Sequence, residues 1–176
     1  APKEDLSQRV YELLCRYPDK RPRWPEVIEE LRRIGTPGIE GFIRAFALPH
    51  ARTRTWALQM LAWSRPGNTE VVVELLKQGL KDTNKKVRRT AAAALLHVDV
   101  PDERARTEFV PLVAALLTDP SRRVRRTLST WWVLGPRAVD MPVPALVAAL
   151  QQERDPQIRA RMEDLLLHVL EARAPQ

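Results

Sequence analysis

Cysteine is all but missing from this 176-residue chain: Cys15 stands alone. A single cysteine excludes an internal disulfide, and in helical register with Val10 and Leu14 it reads as a small core residue suited to a reducing compartment. No stretch approaches the roughly 18 uninterrupted apolar residues that a bilayer span needs, and the N-terminus lacks a basic stretch followed by an apolar one and a small-residue cleavage site. A cytoplasmic location away from membranes is the expectation. Only six glycines are present and none is clustered into a phosphate-cradling loop, while no serine, cysteine or lysine nucleophile has a motif around it. These absences predict a protein that is not an enzyme and needs no cofactor or metal.

What is present is a repeated phrase. Thr53-Arg54, Val87-Arg88, Val124-Arg125 and Ile158-Arg159 recur at spacings of 34, 37 and 34 residues. Small or apolar residues follow each copy four, seven and eight places on: Ala57, Met60 and Leu61; Ala91, Ala94 and Leu95; Leu128, Trp131 and Trp132; Met162, Leu165 and Leu166. That spacing is one face of an α-helix. Ahead of each copy lies a second helical pattern: Ile39, Phe42, Ile43 and Phe46; Val72, Leu75, Leu76 and then Gly79; Phe109, Leu112, Val113 and Leu116; Val143, Leu146, Val147 and Leu150. The fifteen prolines fall where helices tolerate them, as at Pro37, Pro111 and Pro144. His50, Asn84, Ser121 and Asp155 stand three residues before the phrases, and three of the four are strong N-caps.

A period in the thirties, helical throughout, predicts stacked helical pairs that bury their apolar faces against their neighbours. The expected repeats run approximately over 36–64, 68–98, 107–134 and 142–171, as one continuous domain over 36–176. Residues 1–35 lack the phrase and read as an N-terminal helical cap, with Val10, Leu13, Leu14, Val27, Ile28 and Leu31 inward. The chain begins on Ala1 rather than methionine, so the expectation is a monomer or a domain of a larger protein.

The stretch Asp119-Pro120-Ser121-Arg122-Arg123-Val124-Arg125-Arg126, with Leu116 and Leu117 before it and Leu128 after it, resembles the turn and second helix of HEAT repeats. The likeness is strongest to the short bacterial kind also seen in phycobilin-lyase-like proteins. Lys81 to Leu95 and Asp155 to Leu166 are similar, and His50 to Leu61 less so, lacking the acid and the valine. The resemblance implies an all-α, right-handed α-α superhelix, an armadillo-like solenoid. It also implies that the repeated arginine (Arg54, Arg88, Arg125, Arg159) and the turn acid (Asp82, Asp119, Asp155) form a hydrogen-bonded ladder between repeats. The HEAT-like DNA glycosylases are a further comparison, but they require an acid beside an aromatic cleft. Here Val133, Leu134 and Gly135 follow Trp131-Trp132, and the nearest acid is Asp140.

The chain carries a net charge of +7, and its excess is localised. Four aligned windows, 47–55, 81–89, 118–126 and 152–160, hold 13 Lys or Arg and 4 Asp or Glu; the remainder holds 16 and 18. Lys85, Lys86, Arg122 and Arg123 occupy the first two positions after the caps, where cations oppose the helix macrodipole at about 0.3–1 kcal/mol each. Free N–H groups at helix N-termini also favour anions. The expectation is a basic edge, of Arg52, Lys85, Lys86, Arg89, Arg122, Arg123 and Arg126, that takes an acidic protein segment. Nucleic acid is the alternative, because turns stacked about 8–10 Å apart would cover some 30 Å, roughly nine base pairs at about 3.4 Å each. Trp56 and Trp131 are the candidate aromatic anchors. His97 and His168 share an aligned position two repeats apart, too far separated for one metal.

Overall fold

The computed structural model describes residues 5–16, 24–64, 69–95, 97–98, 103, 105–132 and 138–174. Among them are ten α-helices and no strand. The chain divides into two compact units, 1–99 and 100–176.

The first unit holds α1 (Leu6–Arg16), α2 (Trp24–Ile34), α3 (Ile39–Phe46), α4 (Ala51–Ser64), α5 (Thr69–Leu80) and α6 (Lys85–Ala94). Helix starts follow the side chains that precede them. Asp5 accepts from the N–H groups of Ser7 and Gln8, both at 3.1 Å, and Asn84 from that of Lys86 at 2.9 Å. Gly35 ends α2 in the left-handed region (φ 62°), which lets its N–H return to the Leu31 carbonyl at 2.9 Å. The odd-numbered helices then pack on one another, α1 on α3 and α3 on α5, and the even-numbered ones likewise, α2 on α4 and α4 on α6. The N-terminal pair therefore joins the stack in the same register as the repeats.

Helix α4 touches α1, α2, α3, α5 and α6, so it is apolar on nearly every side. Trp56, Ala57, Leu58, Met60, Leu61 and Ala62 are all buried along it. Gly79 is explained by this crowding: a Cβ there would lie 2.8 Å from Leu58 Cδ1 and 2.9 Å from Ala91 Cβ, so α5 approaches its neighbours where the other repeats carry bulk. Of the expected inward residues of the first pair, Ile28 is only half-buried, as is Cys15.

The second unit holds a π-helical turn (Ala105–Phe109), α7 (Val110–Leu116), α8 (Arg122–Trp132), a 3-10 turn (Ala138–Asp140), α9 (Val143–Gln152) and α10 (Pro156–Arg173). Prolines enter α7, α9 and α10 in their first turns, where no N–H partner is lost. Helix α7 packs on α9 and α8 on α10, with Val113, Val124, Leu128, Leu146, Ile158, Met162 and Leu165 fully buried between them. Each such side chain contributes about 1.5–3 kcal/mol by leaving water. Five expected inward residues depart from the pattern: Leu112, Leu116, Val143 and Leu166 are half-buried and Val147 is exposed. Periodicity marks an apolar face, but coverage of that face depends on what packs over it. No described helix is long and apolar enough to cross a membrane.

Candidate anionic-partner interface

The connections that precede α6, α8 and α10 are built on the same positions, whereas the one before α4 has Leu48 in the place of the acid. Two residues before the cap stands an acid whose carboxylate accepts the cap's own N–H: Asp82 from Asn84 at 2.7 Å, Asp119 from Ser121 at 2.7 Å, and Glu153 from Asp155 at 2.8 Å. Four residues after the cap stands the repeated arginine, and it donates back to the turn's carbonyls. Arg54 bonds Leu48 O and Pro49 O at 2.9 and 2.7 Å, Arg88 bonds Asp82 O and Thr83 O at 2.8 and 2.9 Å, and Arg125 bonds Asp119 O at 2.8 Å. These carbonyls, left over where the first helix ends, thereby gain donors.

Arg54 and Arg125 also reach the acid of the following turn. Arg54 forms a bidentate pair with Asp82 (Nε to Oδ2 2.7 Å, a terminal nitrogen to Oδ1 3.0 Å), and Arg125 one with Glu153 (2.6 and 3.2 Å). Side-chain exposure is 9% at Asp82 and 1% at Glu153. Burial alone would push the Asp82 carboxyl up; the Arg54 hydrogen bonds and the Asn84 N–H outweigh it and hold the group below its ordinary value. Glu153 behaves alike, with burial opposed by Arg125 and the Asp155 N–H. Both guanidiniums are raised, chiefly by the hydrogen bond each makes to its acid.

The partner of Arg125 is therefore Glu153 and not Asp155. Asp155 caps α10, accepting from Gln157 and Ile158 N–H at 3.0 and 3.1 Å, and it also takes Arg122. The signal for Glu153 was present in the sequence: it stands as far before its cap as Asp82 and Asp119 do before theirs. Arg159 departs from the expected ladder as well. It is exposed, pairs with Glu163 on its own helix at 3.0 Å and donates to Leu150 O, with no described turn packed beyond it to offer an acid. Asp119 is buried, at 5% exposure.

The basic residues around these turns divide in two. Lys85 and Lys86 on the first turn of α6, and Arg123 and Arg126 on α8, are exposed and meet no carboxylate among the described residues; Arg89 is half-buried. Arg122 is engaged by Asp155, although its side chain stays 63% exposed, and Arg52 is exposed on α4. Trp56 is corrected from anchor to core: at 7% exposure it lies within the helices that surround α4. The side chain of Trp131 lies outside the described residues. His97 and His168 are both exposed, and no group of three or more metal-ligating side chains occurs among the described residues. A cleft in the first unit is lined by Ile28, Arg32, Ala62, Trp63 and His97. Its guanidinium already donates to the Trp63 carbonyl at 3.2 Å, and this lining contains no carboxylate to act with the imidazole.

Compared with known families, residues 73–166 match the family model for HEAT repeats. No curated protein matches the chain.

Proposed function

The chain belongs to the HEAT-repeat family, an all-α solenoid class whose repeats generally mediate protein interaction and scaffolding, and from that premise we propose that it is a non-catalytic scaffold binding an acidic segment of a partner protein. The observation that carries this reading is the exposed pairs of cations on the first turns of α6 and α8. Lys85 and Lys86 stand where an acid would suit the helix macrodipole better, and so does Arg123. They meet no carboxylate among the described residues. A helix start that forgoes the stabilising charge at equivalent places is suited to an external anion. An extended run of Asp and Glu in a partner would supply carboxylates without the pocket a small ligand requires.

The test is fluorescence anisotropy with a labelled Asp/Glu-rich peptide and, in parallel, random duplex DNA. We expect binding of the peptide that weakens with salt, and its loss in the variant Lys85→Glu, Lys86→Glu, Arg123→Glu, Arg126→Glu with helicity retained. Preference for duplex, with log affinity falling by about 0.9 per log unit of salt for each phosphate neutralised, would replace the protein partner with nucleic acid. Binding of neither at low salt would overturn both.

A further inference from the structure

The cleft of the first unit is built from three helix ends: Ile28 and Arg32 belong to α2, Ala62 and Trp63 to the last turn of α4, and His97 to the turn after α6. Two hydrogen bonds hold these ends in place. Arg32 Nε donates to the Trp63 carbonyl at 3.2 Å, a group that a helix leaves without an internal partner in its last turn, and the His97 N–H donates to the Ala94 carbonyl at 2.9 Å. The Arg32 side chain stays 54% exposed, and the carboxylate nearest its terminal nitrogens among the described residues is that of Glu29, 3.8 Å away on a side chain 78% exposed. A pair of that kind holds a guanidinium weakly. The rest of the lining is apolar or aromatic apart from the His97 imidazole, which has a ring N–H to donate whether neutral or charged. The cleft encloses about 360 Å³, near the lower end of the roughly 300–1,000 Å³ of ligand sites.

The cleft also continues the basic turns. Beyond the first turn of α4 the positions that are not buried are Thr55, Gln59 and Trp63; on α6 they are Arg89, Thr90 and Ala93, followed by His97. Arg52, Thr55, Gln59 and Trp63 share one helix face, as do Lys86, Thr90, Ala93 and His97. The two helices pack side by side, and both stripes start at an exposed cation beside a turn and end in the cleft. We propose, on the reading that the partner is an acidic protein segment, that this segment runs along α4 and α6 and anchors a large apolar side chain in the cleft against Trp63, Ile28 and Ala62, with the carboxylate of an adjacent Asp or Glu on Arg32 and His97. Trp63, rather than the buried Trp56, supplies the aromatic contact that anchors favour. Lys86 and His97 stand 11 positions apart, about 16 Å at about 1.5 Å each, which about five residues of extended chain cover at roughly 3.3 Å each. The anchor therefore belongs about five residues from the acidic run that meets the turns.

Two labelled, amidated peptides of equal length and charge test this against the full chain by fluorescence anisotropy. Both hold an Asp/Glu run and, about five residues from it, a Glu next to either Trp or Ser. The Trp peptide should bind at least about tenfold more tightly than the Ser peptide. Trp63→Ala should erase that advantage and leave the Ser peptide's affinity unchanged. Arg32→Gln with His97→Ala, both at exposed positions, should weaken the Trp peptide at least about threefold, and this variant decides the matter if Trp63→Ala loses helicity. Lys85→Glu with Lys86→Glu should weaken both peptides. Equal binding of the two peptides, or an advantage that survives the substitutions in the cleft, would overturn the anchor while the basic turns keep their partner. Binding of neither peptide at low salt would remove the acidic segment itself, and the anchor with it.

Discussion

At the residue scale the most consequential group is the guanidinium of Arg54, which joins two turn carbonyls to a carboxylate 28 positions along the chain. Arg54→Ala would leave Asp82 half-buried without its fork, and we expect a loss of about 2–3 kcal/mol by urea denaturation. Arg54→Lys should recover little of it, because an ammonium cannot reproduce the bidentate contact while also holding Leu48 O and Pro49 O. Arg123→Ala, at an exposed position with no carboxylate partner among the described residues, should stay within about 0.5 kcal/mol of the parent. The acids make a second prediction. Asp82 and Glu153 are both held below their ordinary values, so their contribution is complete above the unfolded carboxylate range near pH 4. It is lost as pH falls through the lower folded values. Urea midpoints measured from neutral pH downward should therefore drop below about pH 4, and the drop in that window should be smaller in the double variant Arg54→Ala, Arg125→Ala.

At the scale of the helix, α6 starts on a good cap and an adverse charge. Asn84→Ala should cost about 1 kcal/mol, since its Oδ1 is the acceptor for the Lys86 N–H. Lys85→Glu with Lys86→Glu should instead add a few tenths of a kcal/mol to thermal stability at low salt, and that gain should fade as salt screens it. Opposite signs at adjacent positions would show that the cations are kept for something other than the helix. The end of α6 tests the core: Leu95 is 6% exposed, and Leu95→Asp would put a carboxylate into an apolar layer. We expect the cooperative melt of the first unit to be lost, which circular dichroism would detect; a melt unchanged within a degree or two would mean that the position is not core.

At the scale of the whole molecule, the charge is sorted by place. The turns bear the positive excess, and on the proposed reading they meet the acidic partner. Added salt should weaken binding of the acidic peptide by an amount that grows with the number of cations engaged. Reversal of Lys85, Lys86, Arg123 and Arg126 should abolish it.

The amino-acid sequence alone determined that the chain is helical, because a helix buries one face and the period of apolar side chains records which face it is, and its recurring turns carried the resemblance to HEAT repeats that the family model bears out. It also placed Arg54, Arg88 and Arg125 at the turns whose carbonyls they hold, and Asp82 opposite Arg54, but not Arg159, which pairs with Glu163 on its own helix. Tertiary structure decided what covers each face, and there the local pattern was silent. Trp56 fell inside because α4 has neighbours on nearly every side, whereas Val147 and Leu167, apolar at positions buried in earlier repeats, remained outside because no described helix lies over them. The choice of Glu153 over Asp155 was likewise tertiary: both acids stand near the same turn, but one is occupied in capping α10 and the other is the carboxylate within reach of the Arg125 fork.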